Sequence, residues 1–246
     1  MKTDSSSTSP PRPADKSFWR RHTESIFWTL VVVLLLRAFV VQAYVIPSES
    51  MEQTLLPGDF LLVAKFVYGL QIPYTPYKIL GFHKPGRGDV VVFNYPLNLR
   101  RDFVKRCVAV AGDTVEVRHK RLYVNGKPVK EPYVQHTDPR EFPPVYMEMD
   151  DGVQRRYQQA WEHRRFLDDP RVRDNFGPVV VPRGTIFVMW DNRYNSSDSR
   201  FWGPLPLNLV KGKPLIIYFS WDPRGPWWKL WERIRWRRMF RLLWNI

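Results

Sequence analysis

The chain has 246 residues, 44% apolar and 15% aromatic, which is enough to bury a sizeable core in one domain or two small ones and excludes an intrinsically disordered chain. A lone cysteine, Cys107, excludes an internal disulfide, and His22, His83, His119, His136 and His163 show no ligand spacing, so neither a metal nor another cofactor is expected. The formal charge of +14 would suit nucleic acid, but the basic residues form no single stripe and match no nucleic-acid-binding motif; anionic membrane lipid is the simpler partner.

The chain opens with MKTDSSSTSPPRPADK, rich in Ser and Pro, and residues 1–25 read as a disordered tail. From Ile26 to Ile46 the residues are apolar except Thr29, Arg37 and Gln42. At about 1.5 Å per residue a helix over 26–46 reaches the thickness of a hydrocarbon core, which predicts one transmembrane helix. The apolar stretch Ile26 to Leu36 also describes a cleavable signal peptide, but no small-x-small cleavage pattern follows it. A retained anchor is expected, with Arg37 snorkelling toward an interface. Lys16, Arg20 and Arg21 precede the run, whereas Glu49, Glu52 and Asp59 follow it with no basic residue before Lys65, so the N-terminus is expected in the cytoplasm.

Residues 47–225 read as β structure. FLLVAKFV, DVVVFNY, DFVKRCVAVAG, TVEVRH, RLYVNGKPV, TIFVMW and KPLIIYFSW are short runs rich in β-branched and aromatic residues, bounded by Gly, Pro and Asp. Asn125-Gly126 is a type I′ hairpin signal. Residues 131–178, rich in Pro, Arg, Asp and Glu, interrupt the pattern as an insertion in which QRRYQQAWEHRRFL is helical or irregular. The expected fold class is mainly β: an antiparallel, sheet or barrel-like domain carrying an inserted β-rich or irregular subdomain and preceded by one N-terminal transmembrane helix.

Residues 226–246 are dense in Trp and Arg. On a helical projection Trp227, Leu230, Trp231 and Ile234 share a face opposite Lys229, Glu232 and Arg233, the pattern of a helix lying on a membrane surface. Beyond Ile234 the pattern degrades, which leaves a helix docked on the β domain or a frayed tail as alternatives.

Three segments carry chemistry: PSESMEQTL with Ser50-Met51, KRCVAVAGD, which begins with Lys105 in an otherwise apolar stretch, and DNRYNSSDSRFWG with Ser196. A serine hydroxyl needs a base, and no histidine lies in a motif that would position one. A lysine does the same work if burial among apolar neighbours disfavours its ammonium form, and Phe103, Val104, Cys107 and Val108 surround Lys105 in sequence.

These boxes, with GDFLLVAKF and RGDVVVF between them, resemble in order those of type I signal peptidase, a membrane-bound serine protease that removes signal peptides from exported proteins. The resemblance covers roughly residues 37 to 126 and 183 to 220 and leaves the insertion aside. It implies an extracytoplasmic catalytic domain in which Ser50 is the nucleophile and Lys105 the general base. It further implies that Ser48, with the Ser50 backbone N–H, stabilises the oxyanion, and that Ser196 orients the lysine amine. Asp198 with Arg200, and Asp191 with Arg106, are similar to supporting ion pairs of the family. Ile46, Met51, Leu55 and Val104 are similar to residues lining its shallow pockets, which would select small-x-small cut sites. The implied partners are signal peptides of exported preproteins and membrane lipid, and the implied location is a bacterial inner membrane. No oligomeric state follows from the sequence. One departure stands out: the family usually has glycine where this chain has Trp190. A pilin-maturing peptidase, a self-cleaving repressor and a non-enzymatic β-domain protein are the competing readings; the repressor lacks a DNA-binding region before Ser50.

Overall fold

The computed structural model describes residues 16–47, 51, 54–71, 78–79, 81–134, 140–145, 150–167, 169–193, 197–224, 228 and 230–244. The chain divides into two compact units, residues 1–39 and 40–246. The first contains helix α1, Lys16–Leu35, after which the backbone makes a π-helical turn, Leu36–Val40. Ile26, Phe27, Trp28 and Leu30 on α1 are exposed, as are Val32 to Leu36.

The helix expected over 26–46 is corrected here. Residues Val41–Val45 form strand β1, antiparallel to β2 (Asp59–Ala64), with Val41 opposite Ala64 and Val45 opposite Phe60. β-branched Val41 and Val45 favour the extended backbone, and the ladder to β2 satisfies the polar groups that a helix would have bonded internally. The apolar part of α1, from Ile26 to Leu35, then spans about 15 Å, half of a hydrocarbon core. Among the described residues no helix is long and apolar enough to cross a membrane.

The second unit is mainly antiparallel β. After β1 and β2 come β3 (Leu70–Gln71), β4 (Lys78–Ile79), β5 (Val90–Tyr95), β6 (Asn98–Val110), β7 (Thr114–Arg118), β8 (Arg121–Val124) and β9 (Lys127–Pro128). Helix α2 (Asp151–Glu162) is followed by β10 (Phe176–Val180), β11 (Thr185–Met189), the short α3 (Ser199–Trp202), β12 (Leu205–Pro206) and β13 (Val210–Ser220). The principal sheet has the order β1-β2-β13-β5-β6-β11-β12; a second sheet has the order β10-β7-β8-β9, and β3 and β4 form a small ribbon. Long β13 joins the halves of the principal sheet by pairing with β5 through Val210 and Gly212 and with β2 from Lys213 onward. Gly212 is required at this switch, because a Cβ there would sit 2.3 Å from the Ala64 carbonyl oxygen.

β5 shows why these runs are strands. Val91 and Phe93 enter one apolar cluster, with Cys107, Val188 and Trp202, while Val90 and Val92 enter another, with Ile46, Met51 and Leu61. Both faces are covered, so the sequence reads as a continuous apolar run, and each buried side chain contributes about 1.5–3 kcal/mol. The expected insertion at 131–178 contains α2, whose Asp150 side chain caps it by accepting from the Val153 N–H. Tyr157 and Trp161 of α2 pack with Phe176 and Phe187. The insertion therefore ends by supplying β10 to the second sheet, against β7.

The single C-terminal helix expected over 226–246 is also corrected. Helix α4 is Leu230–Arg233 only; Ile234 bridges Trp221, Trp236–Arg238 makes a 3-10 turn, and β14 (Arg241–Leu242) pairs with β13. Trp227 and Lys229 lie outside the described residues. The cause lies in long-range contacts that a helical projection omits. Arg238 Nη2 is 2.6 Å from Asp59 Oδ2, Ser220 Oγ donates to Asp59 Oδ1 at 2.6 Å, and Leu243 is buried with Ile46, Met51 and Ile217.

Candidate active site

Strand β6 carries two adjacent buried cations, and side-chain alternation sends them to opposite faces. Lys105 points the same way as Phe103 and Cys107. Its Nζ lies 3.2 Å from the ring centroid of Trp190 and 4.9 Å from that of Phe103. Lys105 is wholly inaccessible to solvent, and its amine has no hydrogen-bond partner among the described residues. Burial pushes its pKa well below the ordinary lysine value; the Asp198 carboxylate opposes this and the Arg200 guanidinium adds to it.

Asp198 and Arg200 hold each other in two parallel hydrogen bonds, Nε to Oδ1 at 2.9 Å and Nη2 to Oδ2 at 2.8 Å. The same carboxylate caps α3 by accepting from the Arg200 backbone N–H. Burial pushes the Asp198 carboxyl up, and the adjoining guanidinium more than offsets this, holding it below the usual carboxylate range. Arg200 also donates to the carbonyl of Arg173. The negative charge near Lys105 is thus already engaged by an arginine.

Arg106, on the other face, places Nε and Nη2 each 3.0 Å from the two oxygens of Asp191. Its Nη1 donates to Gly88 O at 2.9 Å, and Nη2 also reaches Thr54 Oγ1 at 3.2 Å. Thr54 donates in turn to Asp191 at 2.6 Å. Thr54 is the functional residue that sequence reasoning missed: it ties the turn after Met51 to the middle of β6. No local signal marks it, because its partners lie 52 and 137 positions away.

Beside the lysine lies a cleft of about 470 Å³. Of the four expected pocket residues, Ile46, Met51 and Val104 line it, together with Tyr44, Phe103 and Trp190. Leu55 does not line it; it is fully buried in the apolar cluster of Ile46 and Met51, because the Met51–Leu55 turn, closed by Leu55 N–H to Met51 O at 2.6 Å, directs it inward. Trp190 Nε1 donates to Ser197 O at 3.1 Å, which fixes the indole between cleft and amine. Ser48, Ser50 and Ser196 lie outside the described residues.

The described residues thus leave the Lys105 amine buried and without a hydrogen-bond partner under an indole, next to an apolar cleft. The family profile described as "Signal peptidase, peptidase S26" matches residues 19–221.

The chain belongs to this signal peptidase family.

It is therefore a serine endopeptidase of the kind that cleaves signal peptides. Signal peptidase I of Pseudomonas aeruginosa is 38% identical over 213 residues, covering 82% of this chain and 73% of the relative. Signal peptidase I of Aquifex aeolicus is 36% identical over 228 residues, 82% of this chain and 84% of the relative. A solved signal peptidase I from Enterococcus faecalis is 27% identical and superposes with a TM-score of 0.35 over 53% of this chain and 97% of its own, a likeness too loose for residue-by-residue alignment.

Proposed function

We propose that the chain cleaves signal peptides from exported preproteins after small-x-small motifs, with Ser50 as nucleophile and Lys105 as general base. The observation that carries this reading is the Lys105 amine: fully buried, without a hydrogen-bond partner among the described residues, and facing two aromatic rings. A lysine kept uncharged in this way has a lone pair free to accept a proton, as a serine nucleophile requires. Met51, the residue after Ser50, lines the cleft beside this amine.

In the proposed cycle Lys105 takes the Ser50 proton as the oxygen attacks the scissile carbonyl. The Ser50 N–H and the Ser48 hydroxyl donate to the oxyanion, and the Lys105 ammonium then protonates the departing amine. Water, deprotonated by Lys105, releases the acyl group from Ser50. Ser196 orients the amine. Asp198 with Arg200 and Asp191 with Arg106 hold the surrounding backbone without touching substrate. Ile46, Met51, Phe103, Val104 and Trp190 leave an apolar cleft that admits small side chains.

The enzyme is proposed to work at a bacterial inner membrane, held to lipid by α1 with its basic N-terminal end toward the cytoplasm. Lys16, Arg20 and Arg21 before the apolar run support that orientation, and the exposed apolar side chains of α1 support attachment to lipid. The decisive experiment incubates wild type, Ser50→Ala and Lys105→Ala with a preprotein in detergent and sequences the new N-terminus. Cleavage by wild type alone, after a small residue, is expected; cleavage by either variant would remove the dyad.

A further inference from the structure

On the Arg106 side of β6 a cavity of about 800 Å³ opens between the principal sheet and the β8–β9 hairpin of the second sheet. Five cations line it: Arg87, Arg106, Lys127, Lys130 and Lys213. Three are matched by carboxylates. Arg87 Nε is 2.8 Å from Asp113 Oδ2, Arg106 is paired with Asp191 as described, and Lys213 Nζ is 2.7 Å from Asp89 Oδ1. Lys127 and Lys130 have no carboxylate partner among the described residues, so the cavity holds two positive charges in excess.

The two lysines stand on a fixed support. Asn125 and Gly126 make the hairpin turn with φ of 53° and 73°, which places Lys127 opposite Val124. The Asn125 side chain donates to Asp113 at 3.0 Å and accepts from the Thr114 N–H at 2.8 Å. Pro128 stiffens the next step, and the Val129 N–H donates to Leu122 O at 3.0 Å. Across the cavity the Tyr133 ring lies 3.9 Å from the Arg106 guanidinium carbon, and the Trp244 ring lies 4.6 Å from Lys213 Nζ. The paired cations are thereby held in place, while Lys127 and Lys130 are exposed and have no ion pair among the described residues.

We propose that this cavity is a binding site for a phosphate group. Lysine ammonium groups bind phosphate as point charges, and two in excess match a group carrying between one and two negative charges. The volume lies within the range of small-molecule sites, about 300–1,000 Å³, and exceeds what a bare phosphate fills. Two sources supply this chemistry: inorganic phosphate and the headgroup of an anionic phospholipid. The rim is suited to the second, because Trp244 is continuous in sequence with exposed Leu242, Phe240 and Trp236, which would lie along acyl chains.

The test uses the full chain in detergent, with inorganic phosphate titrated against chloride at constant ionic strength and followed by the phosphorus resonance. In parallel, binding is measured to phosphatidylcholine vesicles with and without phosphatidylglycerol. The variants are Lys127→Ala/Lys130→Ala and, as a charge-matched control on the exposed side of α2, Arg155→Ala/Arg156→Ala. Wild type and the control should bind alike, and the lysine double variant should lose at least tenfold in affinity for the true source. A loss confined to phosphate identifies the free ion; a loss confined to phosphatidylglycerol vesicles identifies the headgroup. If the lysine double variant matches the control in both arms, the proposal is overturned.

Discussion

Lys105 and Arg106 are neighbours on one strand, equally buried, and opposite in design. Arg106 shares two hydrogen bonds with a carboxylate and donates further to a carbonyl and to a threonine hydroxyl. Lys105 faces two aromatic rings, and its nearest carboxylate is already held by Arg200. Burial penalises both cations, but among the described residues only the arginine has hydrogen bonds to offset the cost. Guanidinium cannot shed its proton and must be paired; an amine can, so without a hydrogen-bonded partner the same burial favours its neutral form and frees its lone pair. The contrast separates a charge that supports the fold from the amine proposed to perform chemistry.

The sharpest way to break the comparison is Lys105→Met, which keeps the shape and removes the base. Turnover of a preprotein should fall about 10⁴-fold with the fold intact by circular dichroism. Stability should respond to pH in a definite direction. Between the lowered pKa of the folded state and the ordinary value of 10.5, the unfolded chain holds a proton that the folded chain does not. Wild type therefore gains stability relative to Lys105→Met as pH rises through that window, by about 1.4 kcal/mol per pH unit. Denaturant titrations at several pH values check this, and a parallel pair of curves would mean that the amine stays charged.

Asp191→Ala tests the other side. It strands the Arg106 guanidinium and should cost about 3–5 kcal/mol in urea unfolding, while turnover per folded molecule changes far less than in Lys105→Met. Trp190→Gly should blur the distinction by admitting water to the amine. Its pH–rate profile should move toward higher pH, the direction of an ordinary lysine, and the enlarged cleft should accept bulkier residues at the cut site; Trp190→Phe should preserve both properties. The smallest effect is expected for the partly exposed pair between β13 and β6, where Lys211 Nζ lies 2.7 Å from Asp102. Lys211→Ala should cost about 0.2–1 kcal/mol, because solvent screens that pair.

What the sequence discloses follows the range of each interaction. The strands around Lys105 are legible because DVVVFNY and FVKRCVAVAG alternate or run apolar on a local scale, and Asn125-Gly126 specifies its turn by itself. Asp198 and Arg200 are two positions apart and can be paired by inspection. Thr54 cannot be, since nothing near it announces Asp191 or Arg106. Residues 41–45 read as helix because apolarity alone does not separate helix from a buried strand; the ladder to β2 decides it. The C-terminal residues read as one amphipathic helix for a similar reason, with Asp59 as the distant group that holds Arg238 elsewhere. Leu55 lies close in sequence to the cleft residues, but a turn of one residue more or less decides between wall and interior.

The return of the C-terminal residues to β13 has a consequence for synthesis. Leu243 shares an apolar cluster with Ile46 and Met51, and Arg238 neutralises the buried carboxylate of Asp59. The layer beneath the cleft is thus completed only once Arg238, 179 positions after Asp59, has been made. A premature stop codon before Arg238 would release a chain with Ser50 and Lys105 encoded but the foundation beneath them missing.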